Sequence, residues 1–77
     1  MPTDPLPDWV IASRRRIGDR VRAVRTERRL TQERLAELAG LDRKTVNRIE
    51  QGTHGTSIDH LALIAHALSS SLVDLVE

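Results

Sequence analysis

The stretch from Leu30 to Gly52, LTQERLAELAGLDRKTVNRIEQG, reads as two short helices separated by one glycine. Leu35, Leu38 and Ala39 recur at i, i+3 and i+4, the spacing of a single helical face, and Gly40 follows as a stop. Asp42 then caps a second helix, which Gly52 ends. The apolar positions of that helix are Val46 and Ile49. Arg43, Lys44, Asn47, Arg48 and Gln51 fall on the opposite side, so its outer face is polar and cationic. A turn as tight as Ala39 to Asp42 makes the two helices cross steeply and leaves this outer face projecting from the domain. Such a helix is presented to a groove.

A chain of 77 residues is one domain near the lower size at which a single core is stable alone. Few residues are spare for a deep pocket, which argues against an enzyme cleft. The absence of cysteine removes disulfides, thiolate metal sites and thiol nucleophiles, and suits a reducing cytoplasm. Trp9 is the one residue among Phe, Tyr and Trp, so the core must be aliphatic, and the stacking platforms used for single-stranded nucleic acid are missing. No apolar run approaches the roughly 18 residues of a membrane span. MPTDPLPDW also lacks the basic-then-apolar order of a signal peptide. A soluble, cytoplasmic protein with no membrane partner is expected.

The net charge of +1 says little, but its distribution is uneven. Arg14 to Thr56 holds all 12 basic residues against six acids, +6, whereas Ser57 to Glu77 holds three acids and no Lys or Arg, −3. A basic segment over the helix pair and an acidic end fit one face turned to a polyanion and another turned away. For Arg14 to Arg16 taken alone, a solvated helix face explains the charge equally well.

Outward from the helix pair, a Pro-rich lead, Met1 to Pro7, precedes a helix that starts at Asp8 or Ser13 and runs to about Arg28; Gly18 inside it obscures the start. Residues 1–12 are read as an N-terminal extension, partly flexible, and residues 13–77 as the domain. Ile17, Val21 and Val24 make an apolar stripe with Arg25 on the same side. An inward arginine needs a partner, and Glu50 lies at the inner edge of its own helix, so a partly buried Arg25–Glu50 ion pair is expected. Ser57 caps a fourth helix with Ile58, Leu61, Ala65 and Leu68 on one face. Ser71 and Asp74 cap a short fifth, Leu72 to Val76. The fold class is all-α with five helices and no strand.

Other features are discounted. His60 and His66 do not share a helical face, and no Cys completes a zinc site, so no metal is expected. Ser57, Asp59 and His60 are too close in sequence for an acyl-transfer triad. No catalytic constellation and no cofactor motif is found. Trp9, Val10 and Ile11 form an apolar cluster expected to fold onto its own domain, with a dimer contact as the other use of Trp9.

IGDRVRAVRTERRLTQERLAELAGLDRKTVNRIEQG, followed by IDHLALIAHALSSSLVDLV, closely resembles the helix-turn-helix domain of the phage lambda and 434 repressors, Cro, and the xenobiotic-response-element-type bacterial regulators. The match runs from about Ile17 to Val76. It rests on Thr31-Gln32, Leu35-Ala36, the Gly40 turn, Val46, Ile49, Glu50, Gly52 and the aliphatic pattern that follows. The resemblance implies a compact, lambda-repressor-like five-helix domain that binds double-stranded DNA as a transcriptional regulator, with residues 43–51 as the recognition helix.

Carried over residue by residue, it gives Gln32 a phosphate at the N-terminus of helix 2, where free N–H groups and the helix dipole favour an anion. It gives Arg43, Lys44 and Asn47 base contacts, since Arg or Lys can reach guanine O6 and N7 and Asn can pair with adenine. Thr45 and Arg48 flank that face and are assigned to phosphates; sequence leaves open which of Arg43, Lys44 and Arg48 reads a base. Thr53 and His54 occupy a loop that touches phosphate in the family, yet lack its commoner Lys or Arg, which makes that contact weaker or pH-dependent. The resemblance also implies a homodimer joined near the last helix, with Val73 and Val76 as the seam, on an inverted repeat in the nucleoid. An end directly after the fifth helix suits both a whole Cro-sized or controller-type protein and the N-terminal domain of a longer one. The competing reading is an antitoxin-like or adaptor module whose main partner is another protein.

Overall fold

In the computed structural model, which describes residues 5–77, five helices follow one another: α1 Asp8–Glu27, α2 Gln32–Ala39, α3 Arg43–Gln51, α4 Ile58–Ala67 and α5 Leu72–Val76. No strand occurs among the described residues. Of the two starts the sequence allows for α1, the helix takes Asp8, because Pro7 holds its φ at −57° and its carbonyl accepts from the Val10 N–H at 3.0 Å. Residues 8–12, grouped with the extension by sequence, are thus the opening turns of α1, while Met1 to Asp4 lie outside the described residues.

The four other helices start on side-chain caps. Thr31, Asp42 and Ser57 accept from the N–H three residues on, at 3.0, 2.7 and 3.0 Å, and Ser71 and Asp74 form a reciprocal capping box. The first four helices each close on a residue with positive φ: Arg29 (59°), Gly40 (72°), Gly52 (67°) and Ser69 (56°). At three of these ends the next N–H reaches back five residues: Leu30 to Arg25, Leu41 to Ala36 and Ser70 to Ala65.

The core is wholly aliphatic. Val21 and Val24 of α1, Leu35, Ala36 and Ala39 of α2, and Val46 and Ile49 of α3 meet Leu61, Ile64, Ala65 and Leu68 from α4 and Leu75 of α5. α1 packs on α3 and α5, and α2 on α3 and α4. Two expected core positions are corrected. Leu38 is exposed and Ala36 takes its place, because α2 buries the 35, 36, 39 edge that faces both α3 and α4. Ile58 is 72% exposed, since it is the first residue of α4 and the buried 61, 64, 65, 68 face begins one turn later. The apolar cluster near the N-terminus also departs from expectation: Val10 and Ile11 are half-buried, but Trp9, at 72% exposed, points away from the domain.

Glycines allow α1 and α3 to approach. A Cβ at Gly18 would fall on the Ile49 carbonyl oxygen and lie 2.5 Å from that of Glu50, and a Cβ at Gly52 would lie 2.8 Å from the Arg15 Cα. This seam presses the end of α3 against α1 and fixes which side of α3 faces outward. No helix among the described residues is long and apolar enough to cross a membrane.

Candidate nucleic-acid interface

The site is built on the inner edge of α3. Glu50 is 1% exposed, and a carboxylate so buried is tolerated only when its oxygens are paired. Arg25 donates from Nε to Oε2 at 2.6 Å and from Nη2 to Oε1 at 3.0 Å, a two-pronged grip from α1. Gln32 of α2 donates to Oε1 at 3.1 Å, and Arg22 stands at 3.4 Å. Arg25 also donates to the Leu30 carbonyl at 2.8 Å. Burial pushes the Glu50 carboxyl up, but the hydrogen bonds from Arg25 and Gln32 and the charge of Arg25 prevail and hold it below the usual carboxylate range. The hydrogen bond to Glu50 outweighs desolvation at Arg25 and raises its guanidinium. Both groups are ionised near neutral pH, and one buried anion ties α1, α2 and α3 together.

On the outer side of α3, Arg43, Lys44, Arg48 and Gln51 are exposed, whereas Thr45 and Asn47 are half-buried. Asp42 caps the start of this helix. The hydrogen bonds it accepts from the Thr45 backbone and side chain, with the nearby charges of Arg48 and Lys44, keep its carboxyl below the usual range. Asn47 is held, because the Gln32 amide donates to its Oδ1 at 3.2 Å. Beyond that bond Asn47 keeps its amide hydrogens and one Oδ1 lone pair, the donor and acceptor that a bidentate contact with adenine uses. Gln32 therefore turns its own N–H groups inward, to Asn47 and Glu50, and at the start of α2 the backbone amides are what an anion would meet.

At the other flank of α3, Thr45 and Arg48 line an open cleft with His54 and His60. Thr53 and His54 are exposed in the α3–α4 loop, and the Thr53 hydroxyl pairs with His54 Nδ1 at 2.9 Å. Val73 and Val76 are exposed on α5. Trp9 is far from them: Arg20, whose Nε donates to the Asp74 carbonyl at 3.0 Å, is eleven residues, about 16 Å of helix, along α1 from Trp9.

Sequence reasoning missed three participants. Arg22 lies three before Arg25, so their shared face was a readable signal. Gln32 as an orienting group for Asn47 is hidden in the sequence by the phosphate contact assigned to it. His60 beside His54 left no signal, since only the loop conformation brings them to one cleft.

Comparisons with known proteins identify the family and the fold. The sequence model of the helix-turn-helix family matches residues 21–75. The chain is 38% identical over 60 residues to an immunity repressor protein of Bacillus phage phi105, spanning 78% of this chain and 42% of the repressor. It is 32% identical over 60 residues to the control protein C.SmaI of Serratia marcescens, of which it spans 71%. Among solved structures, the restriction-modification controller protein C.AhdI of Aeromonas hydrophila superposes with a TM-score of 0.81 at 38% identity, over 83% of this chain and 97% of that one. A hypothetical transcription factor from Neisseria gives 0.82 at 26% identity, over 100% of this chain and 87% of that one. The matched segment holds α2, α3, their Gly40 turn and the Glu50 network, and on these grounds the chain belongs to the helix-turn-helix family of Cro/C1-type DNA-binding transcriptional regulators.

Proposed function

We propose that this chain regulates transcription by binding a specific duplex DNA sequence, with α3 lying in the major groove. The observation that carries the reading is the division of α3 into a back locked by Val46, Ile49 and the Glu50 network and a front that exposes Arg43, Lys44, Arg48 and Gln51. Arg43 and Lys44 read purine edges, and Asn47, oriented by Gln32, reads adenine. Phosphates are held by the backbone amides at the start of α2, by Thr45 and Arg48, and by the Thr53-His54 loop, so affinity falls steeply with salt. The similarity to an immunity repressor and to control proteins supports a regulatory use of this contact. Two subunits related by a two-fold axis would place their α3 helices about 34 Å apart on an inverted repeat. Exposed Val73 and Val76 supply the apolar seam for that pairing, with Trp9 as a separate contact, and the protein works on DNA in the nucleoid.

The test is selection of bound duplexes from a random library at low and physiological salt. The expected result is an inverted repeat with half-sites one helical turn apart, and a loss on the order of 1 to 3 kcal/mol for Asn47→Ala on that site with little change on random DNA. Equal losses on both would refute base reading by Asn47. Binding at low salt alone, without an enriched sequence, would pass first place to the protein-partner reading that exposed Trp9 and Val73 favour.

A further inference from the structure

The cleft beside α3 adds His60 and Thr56 to the phosphate-holding groups Thr45, Arg48 and His54 named above. It measures about 240 Å³ and is lined by Thr45, Arg48 and Ile49 of α3, His54, Gly55 and Thr56 of the loop, and His60 in the first turn of α4. That is several times the roughly 30 Å³ share of one liquid water, enough for a hydrated phosphate group. The Thr56 Oγ1 is buried and has no hydrogen-bond partner among the described residues, which is costly for a hydroxyl unless a ligand or solvent completes it. Arg14 of α1 brings its guanidinium over Gly55, so α1 also adds positive charge to this corner. Among the described residues no carboxylate lines the cleft; Asp59, the acid adjacent to His60, is exposed on α4.

Resting on the DNA-binding reading, we propose that this cleft receives one DNA backbone phosphate, and that His54 and His60 hold it as imidazolium ions, making DNA affinity depend on protons. Arg48 and the Thr45 hydroxyl anchor the phosphate oxygens on the α3 side, and His60 and His54 close on them from α4 and the loop. Imidazole is the side chain whose charge changes between pH 5 and 8, and a phosphodiester stays anionic throughout that range. The seated phosphate gives each imidazolium a counter-charge, so binding takes up protons and tightens as the pH falls. Protonation of His54 sacrifices no contact at Nδ1, because the Thr53 hydroxyl 2.9 Å away can accept as readily as donate. The effect is independent of base sequence, since the contact is to the backbone.

The experiment measures duplex affinity of the whole chain from pH 8.5 to 5.5 at several salt concentrations. The expected gain toward low pH is about fivefold to tenfold for each histidine, with the salt slope steepening by at most about 0.9 in all, since one phosphate is seated. His60→Gln should remove one such step from the gain between pH 8.5 and pH 5.5, on cognate and random duplex alike. His60→Lys should bind tightly at every pH. His66→Gln, outside the cleft, should follow the wild-type profile. Specific binding with an unchanged profile in His60→Gln would overturn this inference alone, whereas no duplex binding at any pH would overturn the DNA reading itself. Loss of pH dependence in phosphate buffer, but not in a chloride buffer of equal ionic strength, would mean that the cleft takes free phosphate instead.

Discussion

Replacing Gly18 with alanine sets two physical effects against each other. Gly18 lies in the middle of α1, where helix propensity alone favours alanine by about 1 kcal/mol. The new methyl, however, would sit 2.5 Å from the Glu50 carbonyl oxygen and closer still to that of Ile49, both backbone atoms with no freedom to swing aside. The α1–α3 seam must open to relieve this, and it is held by Gly52 against Arg15 and by the Arg25–Glu50 pair. Overpacking of this kind costs about 1 to 3 kcal/mol, and a contact to rigid backbone belongs at the upper end. The net loss is then about 2 kcal/mol, or a fall in Tm of roughly 8 to 16 °C for a domain of this size. Thermal unfolding followed by circular dichroism measures it. Gly40→Ala is the companion: it meets nothing within 4 Å, so only its left-handed backbone is strained, at about 1 kcal/mol. A Tm for Gly18→Ala equal to or above the wild type would refute the close approach of the two helices.

Three further outcomes follow from the same contacts. Glu50→Gln leaves Arg25 inside without its counter-ion and should destabilise by about 3 kcal/mol in urea unfolding. Because the Glu50 carboxyl titrates lower in the folded than in the unfolded chain, its contribution is complete above about pH 4.3 and fades as the pH falls further. An acid titration of Glu50→Gln should lack that part of the slope, and identical slopes would count against the network. Arg29→Gly and Ser69→Gly, at positive φ, should each raise stability by roughly 0.5 to 1 kcal/mol, read as a higher Tm; a fall at both would contradict the assigned backbone. Gln32→Ala should weaken discrimination at the base facing Asn47 by about 1 kcal/mol, measured on matched and mismatched duplexes, whereas a uniform loss would return Gln32 to a phosphate role.

The helix pair was legible because its signals are local: Asp42, Gly40 and Gly52 each act within a few residues, and the structure puts α3 between the cap and the stop that the sequence marks. Arg25 and Glu50 could be paired on paper since each lay at the apolar edge of its own helix. Leu38 and Ile58 were misassigned because periodicity gives the face of a helix and not the length of the neighbour that covers it. Gly18 obscures the start of α1 in the sequence for a related reason. Its purpose lies in the carbonyls of Ile49 and Glu50, some thirty residues away, and no local pattern announces that approach.

The two sides of α3 also bear on how such a protein changes over time. Val46, Ile49 and Glu50 are buried against the scaffold, while Arg43, Lys44, Arg48 and Gln51 are exposed, so the second set can vary with little effect on the first. On the proposed DNA-reading role, new target sequences would be reachable by drift on one face, as letters exchanged in a fixed frame. Asn47 is the exception, because its amide is wired through Gln32 to Glu50. Position 47 should be inherited together with position 32, and a graft of a foreign recognition face onto this scaffold must carry both.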